Sequence, residues 1–193
     1  MINLYIHFLI LKLKNFLLFK NNIIIIKMTS KLNKRIQTSH LLCLTNYKNL
    51  NIMELRGSDC FSKCFLCNNN TLTTFINCSE ASLPGQTLII GDSKITIPKY
   101  IKDNNNTKFD VIFIDSTENF EIVKEYLNIF FYLAHKDTLI ILNNTIFTTE
   151  FETDDTIGST KAWVEYTNSN KILAINHKDY IKGKGMSWGK FNM

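Results

Sequence analysis

The sequence predicts an α/β fold: a mostly parallel sheet with helices on both faces. Three observations carry this. Phe109–Asp115 is an apolar run ending in a carboxylate, the pattern of a buried strand feeding a loop. Residues 118–133 then place apolar side chains at 120, 123, 127, 130 and 131, which is helical spacing. Thr138–Leu142 is a second apolar strand, closed by Asn143 and Asn144. Strand, helix and strand with short connections form a βαβ unit, whose strands run parallel and whose crossover is right-handed. Ligands of such sheets bind outside the carboxyl ends of the strands. Asp115 and the Asn143–Asn144 pair are therefore expected at one crevice.

The 193 residues suit one domain with a single core. The formal charge of +5 is unevenly spread. No Asp or Glu precedes Glu54, while eight of the 22 Lys and Arg residues do, so the rest carries 14 basic against 17 acidic residues. That mildly acidic balance argues against nucleic acid as a partner, which would need basic residues gathered on the folded face. Five cysteines, an odd number without a secretion signal, read as reduced thiols in a cytoplasmic protein.

Residues 1–48 read as a basic, low-complexity amino-terminal extension, and 49–193 as the folded domain. Lys and Asn interrupt the apolar pieces of Met1–Lys27, so no stretch of about 20 apolar residues spans a membrane. Contact with a membrane surface is one reading of this Lys-bearing apolar segment. The preferred reading is upstream sequence of biased composition, with Met28 as the working start. Met28–Lys48 is a partly helical lead-in.

Along the domain, Leu50–Leu55 is a first strand and Ser58–Cys67 carries Phe61, Cys64, Phe65 and Cys67 at helical spacing. Thr71–Ile76 is the second strand and Thr87–Ile90 the third, after a Leu83-Pro84-Gly85 turn. About ten residues separate these two, at the lower limit for a crossover containing a helix, so that helix is expected to be short or missing. A helix follows Gly91-Asp92-Ser93. Phe147–Gly158 reads as an acidic loop over the crevice and Thr160–Tyr166 as a short helix. Ile172–Ile175 and Met186–Phe191 read as closing strands around a Lys182–Gly185 turn.

Met53-Glu54-Leu55, Gly91-Asp92-Ser93, Phe109–Asp115 and the Leu139–Asn144 strand, in this order, resemble class I S-adenosylmethionine-dependent methyltransferases, and the small O-methyltransferase-like group in particular. Gly158–Trp163 and Gly185–Phe191 are similar to that group's tail. The resemblance implies a Rossmann-like methyltransferase fold over about residues 50–193, with S-adenosylmethionine as cofactor and a small hydroxylated molecule as acceptor. It assigns donor contacts to Glu54, Gly57, Asn77, Asp92, Ser93 and Asp115. In metal-dependent members an Asp after the fourth strand joins an Asp-Asn pair around Mg²⁺. The matching residues are Asp115, Asn143 and Asn144.

The departures from the pattern matter. The glycines expected after the first strand fall on Arg56 and Cys60, with Gly57 one place out. A side chain at positive φ costs about 1–2 kcal/mol, and its Cβ hinders close approach to a ligand. Asn77 stands where an acid would hold ribose hydroxyls, with Glu80 slightly beyond. Asp92 or Ser93 could equally cap a helix. Asp115 and Glu118 are the candidate catalytic residues, Glu118 being also suited to a helix's first turn. His135 is expected away from the ligand edge, and His177 has no assigned place.

Cys60, Cys64 and Cys67 have the spacing of an iron–sulfur triad, but that spacing also lies on one helix face, where cysteine serves as a small core hydrophobe. Two functions follow: methyl transfer from S-adenosylmethionine with or without a divalent metal, or a catalytically inactive methyltransferase-like binding module. The oligomeric state is open.

Overall fold

The computed structural model describes residues 34–56, 61–115, 119–148, 154–180 and 184–193. The chain divides into two units, Met1–Gln37 and Thr38–Met193. The described part of the first, residues 34–37, is helical. The sheet and its rim belong to the second.

A seven-stranded sheet organises this unit. Its strands are β1 (Asn51–Leu55), β2 (Thr71–Ile76), β3 (Gln86–Ile90), β4 (Phe109–Ile114), β5 (Ala134–Asn143), β6 (Ile172–Tyr180) and β7 (Lys184–Phe191), in the order β3-β2-β1-β4-β5-β7-β6. β1 to β5 run parallel, and β7 is antiparallel to both neighbours. The helices are α1 (residues 38–44), α2 (Ser62–Phe65), α3 (Ser93–Asp103), α4 (Phe120–Phe130) and α5 (Asp154–Asn168).

Period-two alternation sends each strand's side chains to both faces. On one face Met53, Leu55, Ile112, Ile114, Ile140 and Leu142 pack with Val123, Leu127 and Phe130 of α4 and Ala162 and Trp163 of α5. On the other, Phe113 meets the rings of Phe61 and Phe65 at 5.6 and 5.2 Å. A strand buried on both faces is apolar there, which is why β4 reads as a continuous apolar run from Val111 to Ile114, with Asp110 only at its less buried start.

Several elements depart from expectation. The predicted Ser58–Cys67 helix is confined, within the described residues, to the four residues of α2 and a 3₁₀ turn at Cys67–Asn69. Asn68 and Asn69 take positive φ, 60° and 59°, a conformation asparagine tolerates and which ends the helix. The nine residues between β2 and β3 hold no helix, as the short spacing foretold. α5 begins at Asp154 rather than Thr160. Its first turns bury the small polar Thr156 and Ser159, so no apolar stripe marks the added part, whereas Ala162, Trp163 and Tyr166 are buried further along. Lys184 and Gly185 belong to β7, not to the predicted turn. No helix among the described residues is long and apolar enough to cross a membrane.

Candidate functional site

The strand order reverses between β1 and β4, so the crevice of this sheet opens at their carboxyl ends. Asp115 lies at that point. Its backbone N–H donates to Leu55 O (2.9 Å), which continues the ladder from the end of β1 to one residue past β4. Its side chain is 2 % exposed. Asn143 ends β5, where the parallel register sets Leu142 beside Ile114. Both asparagines donate to one carboxylate oxygen: Asn143 Nδ2 lies 2.8 Å and Asn144 Nδ2 3.1 Å from Asp115 Oδ1. Asn144 has φ 58°, which turns the chain out of the strand and brings consecutive side chains to the same acceptor. The convergence expected from the βαβ unit is present.

The β1–β2–β3 side of the rim is built differently. Glu54 points to the face covered by α2 and is fully buried. Ser62 Oγ and Thr74 Oγ1 donate to its Oε2 at 2.5 and 3.0 Å. Gln86 Nε2 donates to Thr74 Oγ1 at 2.8 Å, extending the polar seam to the edge strand. Glu54 Oε1 has no hydrogen-bond partner among the described residues. Burial raises the Glu54 pKa above its ordinary value, and the two hydroxyls only partly offset it. Arg56, at the first expected glycine position, is buried, approaches Ser62 Oγ with Nη1 at 3.4 Å and pairs with Glu80 through Nη2.

The other donor-contact candidates are spread along this side. Asn77 is exposed just past β2. Asp92 is exposed and caps α3, its Oδ1 accepting from Lys94 N at 2.9 Å. Ser93 Oγ lies 2.7 Å from Tyr126 OH of α4. Gly57 and Glu118 lie outside the described residues, as does Cys60. Cys64 is partly buried and Cys67 exposed. No group of three His, Cys, Asp or Glu side chains among the described residues is arranged to hold a metal.

The two histidines part company. His135 sits at the amino end of β5, with Nε2 3.1 Å from Asp110 Oδ1, away from the crevice. His177 reaches the rim side of β6 and joins a cluster that sequence reasoning missed. Its Nε2 is 2.5 Å from Asp179 Oδ1 and its Nδ1 2.8 Å from Ser187 Oγ, which is 2.8 Å from Thr145 Oγ1. Thr148 Oγ1 also donates to Asp179, at 2.6 Å. Burial raises the Asp179 pKa, but the bonds from Thr148, His177 and the Phe147 N–H outweigh it and leave a net lowering. This knot ties the segment after Asn144 to the β6–β7 pair. The one sequence signal was His177-x-Asp179, two residues that a strand sets on one face.

No protein-family model matches the chain, and no curated protein does so significantly. Solved structures do match in fold. The first similarity is to methyltransferases as a class. An O-methyltransferase of Bacillus cereus, in complex with S-adenosylhomocysteine, superposes with a TM-score of 0.59 at 16 % identity, over 85 % of this chain and 89 % of its own. The O-methyltransferase TomG of Streptomyces achromogenes, in complex with S-adenosylmethionine, gives 0.60 at 15 % identity over 81 % and 80 %. The N-methyltransferase NodS of Bradyrhizobium japonicum gives 0.57 at 8 % identity over 83 % and 97 %. This chain therefore has the Rossmann-like class I methyltransferase fold. The fold itself is shared by O- and N-methyltransferases.

Proposed function

We propose that the protein transfers a methyl group from S-adenosylmethionine to a small hydroxylated acceptor. The observation that carries this reading is the buried carboxylate of Asp115 at the switch point of a methyltransferase sheet, held by Asn143 and Asn144 from the neighbouring strand. The similar folds bound to S-adenosylmethionine and S-adenosylhomocysteine support the choice of donor. The unpartnered Oε1 of Glu54 fits a ligand bearing N–H or O–H donors at this side of the rim. Glu54, Gly57, Asn77, Asp92 and Ser93 are the residues we assign to the donor, with Asp115 at the junction of donor and acceptor.

S-adenosylmethionine supplies a methyl group already activated on a sulfonium. The chain's own work is to align the acceptor hydroxyl and to accept its proton. Asp115, buried and fixed by two amides, is a preorganised negative group for that task, and Glu118 is the second candidate base. In this scheme Asp115 works without a metal, since two amide nitrogens, not oxygens, face it.

A second reading is favoured by one observation. The Arg56–Glu80 ion pair engages two residues of the rim segments that the resemblance assigns to the donor. An inactive module that keeps the fold but binds another ligand accounts for that pairing. Calorimetry with S-adenosylmethionine and S-adenosylhomocysteine separates the two. We expect saturable binding of both, and transfer of a labelled methyl group to catechol-like or sugar hydroxyls. Absence of binding at about 1 mM ligand, equivalent to less than about 4 kcal/mol of affinity, would reject the methyltransferase reading.

A further inference from the structure

We infer that Asn143 and Asn144 are a built-in replacement for a divalent cation, holding Asp115 in position so that chemistry at this rim proceeds without Mg²⁺. The inference rests on the reading of the rim as a methyl-transfer site and adds how its carboxylate is held.

A hard divalent cation needs oxygen ligands and enough negative charge among them. The donor set at this rim supplies one carboxylate and two amides. Both amides present nitrogen to the same oxygen, Asp115 Oδ1, at 2.8 and 3.1 Å. An amide nitrogen is a donor and cannot ligate a cation. Turning both amide oxygens inward would set them against a carboxylate oxygen, an arrangement stable only with a cation already between them. Water does not share the charge, since Asp115, Asn143 and Asn144 are 2, 1 and 2 % exposed. Asn143 is also fixed by its place opposite Met186 in the β5–β7 ladder.

Two N–H donors on one ionised oxygen do what the cation would otherwise do. They offset its buried charge and set its direction. They do so with side chains of consecutive residues, which the positive φ of Asn144 brings together. Asn143 and Asn144 are thus positioning residues acting through Asp115. A carboxylate at either position would recreate a charge set suited to a cation, and without one it would face Asp115 as a like charge.

Metal titration of the full chain tests this directly. Wild type, Asn143→Asp and Asn144→Asp are titrated with MgCl₂ or CaCl₂ alone by calorimetry, and melted with and without EDTA. For wild type we expect no saturable heat and no EDTA-sensitive melting shift up to about 10 mM, beyond the weakest ordinary sites of this kind. Asn143→Asp should melt lower than wild type in EDTA and recover with Mg²⁺, with an apparent Kd of about 1 mM or tighter because a ligand charge has been added. Saturable, EDTA-reversible Mg²⁺ binding by wild type that Asp115→Asn abolishes would overturn the inference. Failure of both variants to gain a metal response would also overturn it. If Asn143→Asp does not fold, the wild-type titration and Asn144→Asp decide. Neither donor nor acceptor is present, so this failure is distinct from failure to bind S-adenosylmethionine.

Discussion

The two halves of the sheet's ligand edge are built to different standards. On the β4–β5–β7 half, Asp115 is held by two amides, and His177, Asp179, Ser187, Thr145 and Thr148 bond in a continuous chain. On the β1–β2–β3 half, no helix joins β2 to β3, and Glu54 is buried with one oxygen unpartnered among the described residues. Arg56 stands where a glycine was expected and is drawn into an ion pair. A satisfied buried network rigidifies, while an orphaned buried acceptor costs about 1–3 kcal/mol until a partner arrives. The contrast teaches that one half is a finished scaffold and the other a surface whose polar groups suit a ligand.

The largest effect is expected on the finished half. Gly185 lies where β7 meets the chain leaving β5, and the two backbones approach so closely that an added Cβ would sit 2.1 Å from Thr145 O. Neither backbone can yield easily, because Thr145 N donates to Gly185 O at 3.2 Å. Gly185→Ala should therefore cost about 3 kcal/mol, the upper end for overpacking. Chemical denaturation reads this as a lower midpoint, and a loss under about 0.5 kcal/mol, the size of an ordinary surface substitution, would show that this half is looser than described.

Much of this contrast was legible in the sequence, and the reasons differ by element. β2 ends at Ile76 as expected, because the chain turns polar at Asn77 after the Thr-, Leu-, Phe- and Ile-bearing strand. The missing crossover helix could be read from spacing alone. Asp115 and the asparagine pair were predictable because parallel topology sends all carboxyl ends to one edge. The His177 knot was not, since it depends on the antiparallel register that sets His177 opposite Ser187, and on a turn after β5 that brings in Thr145. The Arg56–Glu80 pair was equally hidden, being a contact between two loops whose geometry no local pattern fixes.

Opposite responses to pH sharpen the comparison with effects of intermediate size. The Glu54 pKa is raised in the folded state by burial, so folding favours its protonated form. Its contribution is fully present below the ordinary value of 4.5 and is lost as pH rises through the folded value. Asp179 is the reverse. Hydrogen bonds lower its folded pKa, so its contribution is present above the ordinary value of 3.8 and is lost as pH falls through the folded one. In stability measured against pH, Glu54→Gln should flatten the decline on the alkaline side of pH 4.5, and Asp179→Asn should flatten the acid-side decline. Identical profiles for wild type and Glu54→Gln would mean that Glu54 is not the strained group of the β1–β3 half.

The smallest effect on stability falls on Asp92, and it bears most directly on what the unfinished half binds. The Asp92 side chain caps α3 by accepting from Lys94 N, yet it is exposed at the end of β3, within the span we assign to the donor. Asp and Asn are near-equal caps, while Ala loses about 1 kcal/mol. Asp92→Asn should thus leave stability within about 0.5 kcal/mol of wild type, whereas Asp92→Ala should lose the full cap. If Asp92 also accepts a hydrogen bond from the donor, charge assistance makes that bond roughly twice as strong as a neutral one. Asp92→Asn should then weaken S-adenosylmethionine binding about tenfold, equivalent to about 1.4 kcal/mol, with no matching change in melting temperature. An unchanged affinity in both variants would confine Asp92 to the helix start and move the donor's polar contacts inward, toward Glu54.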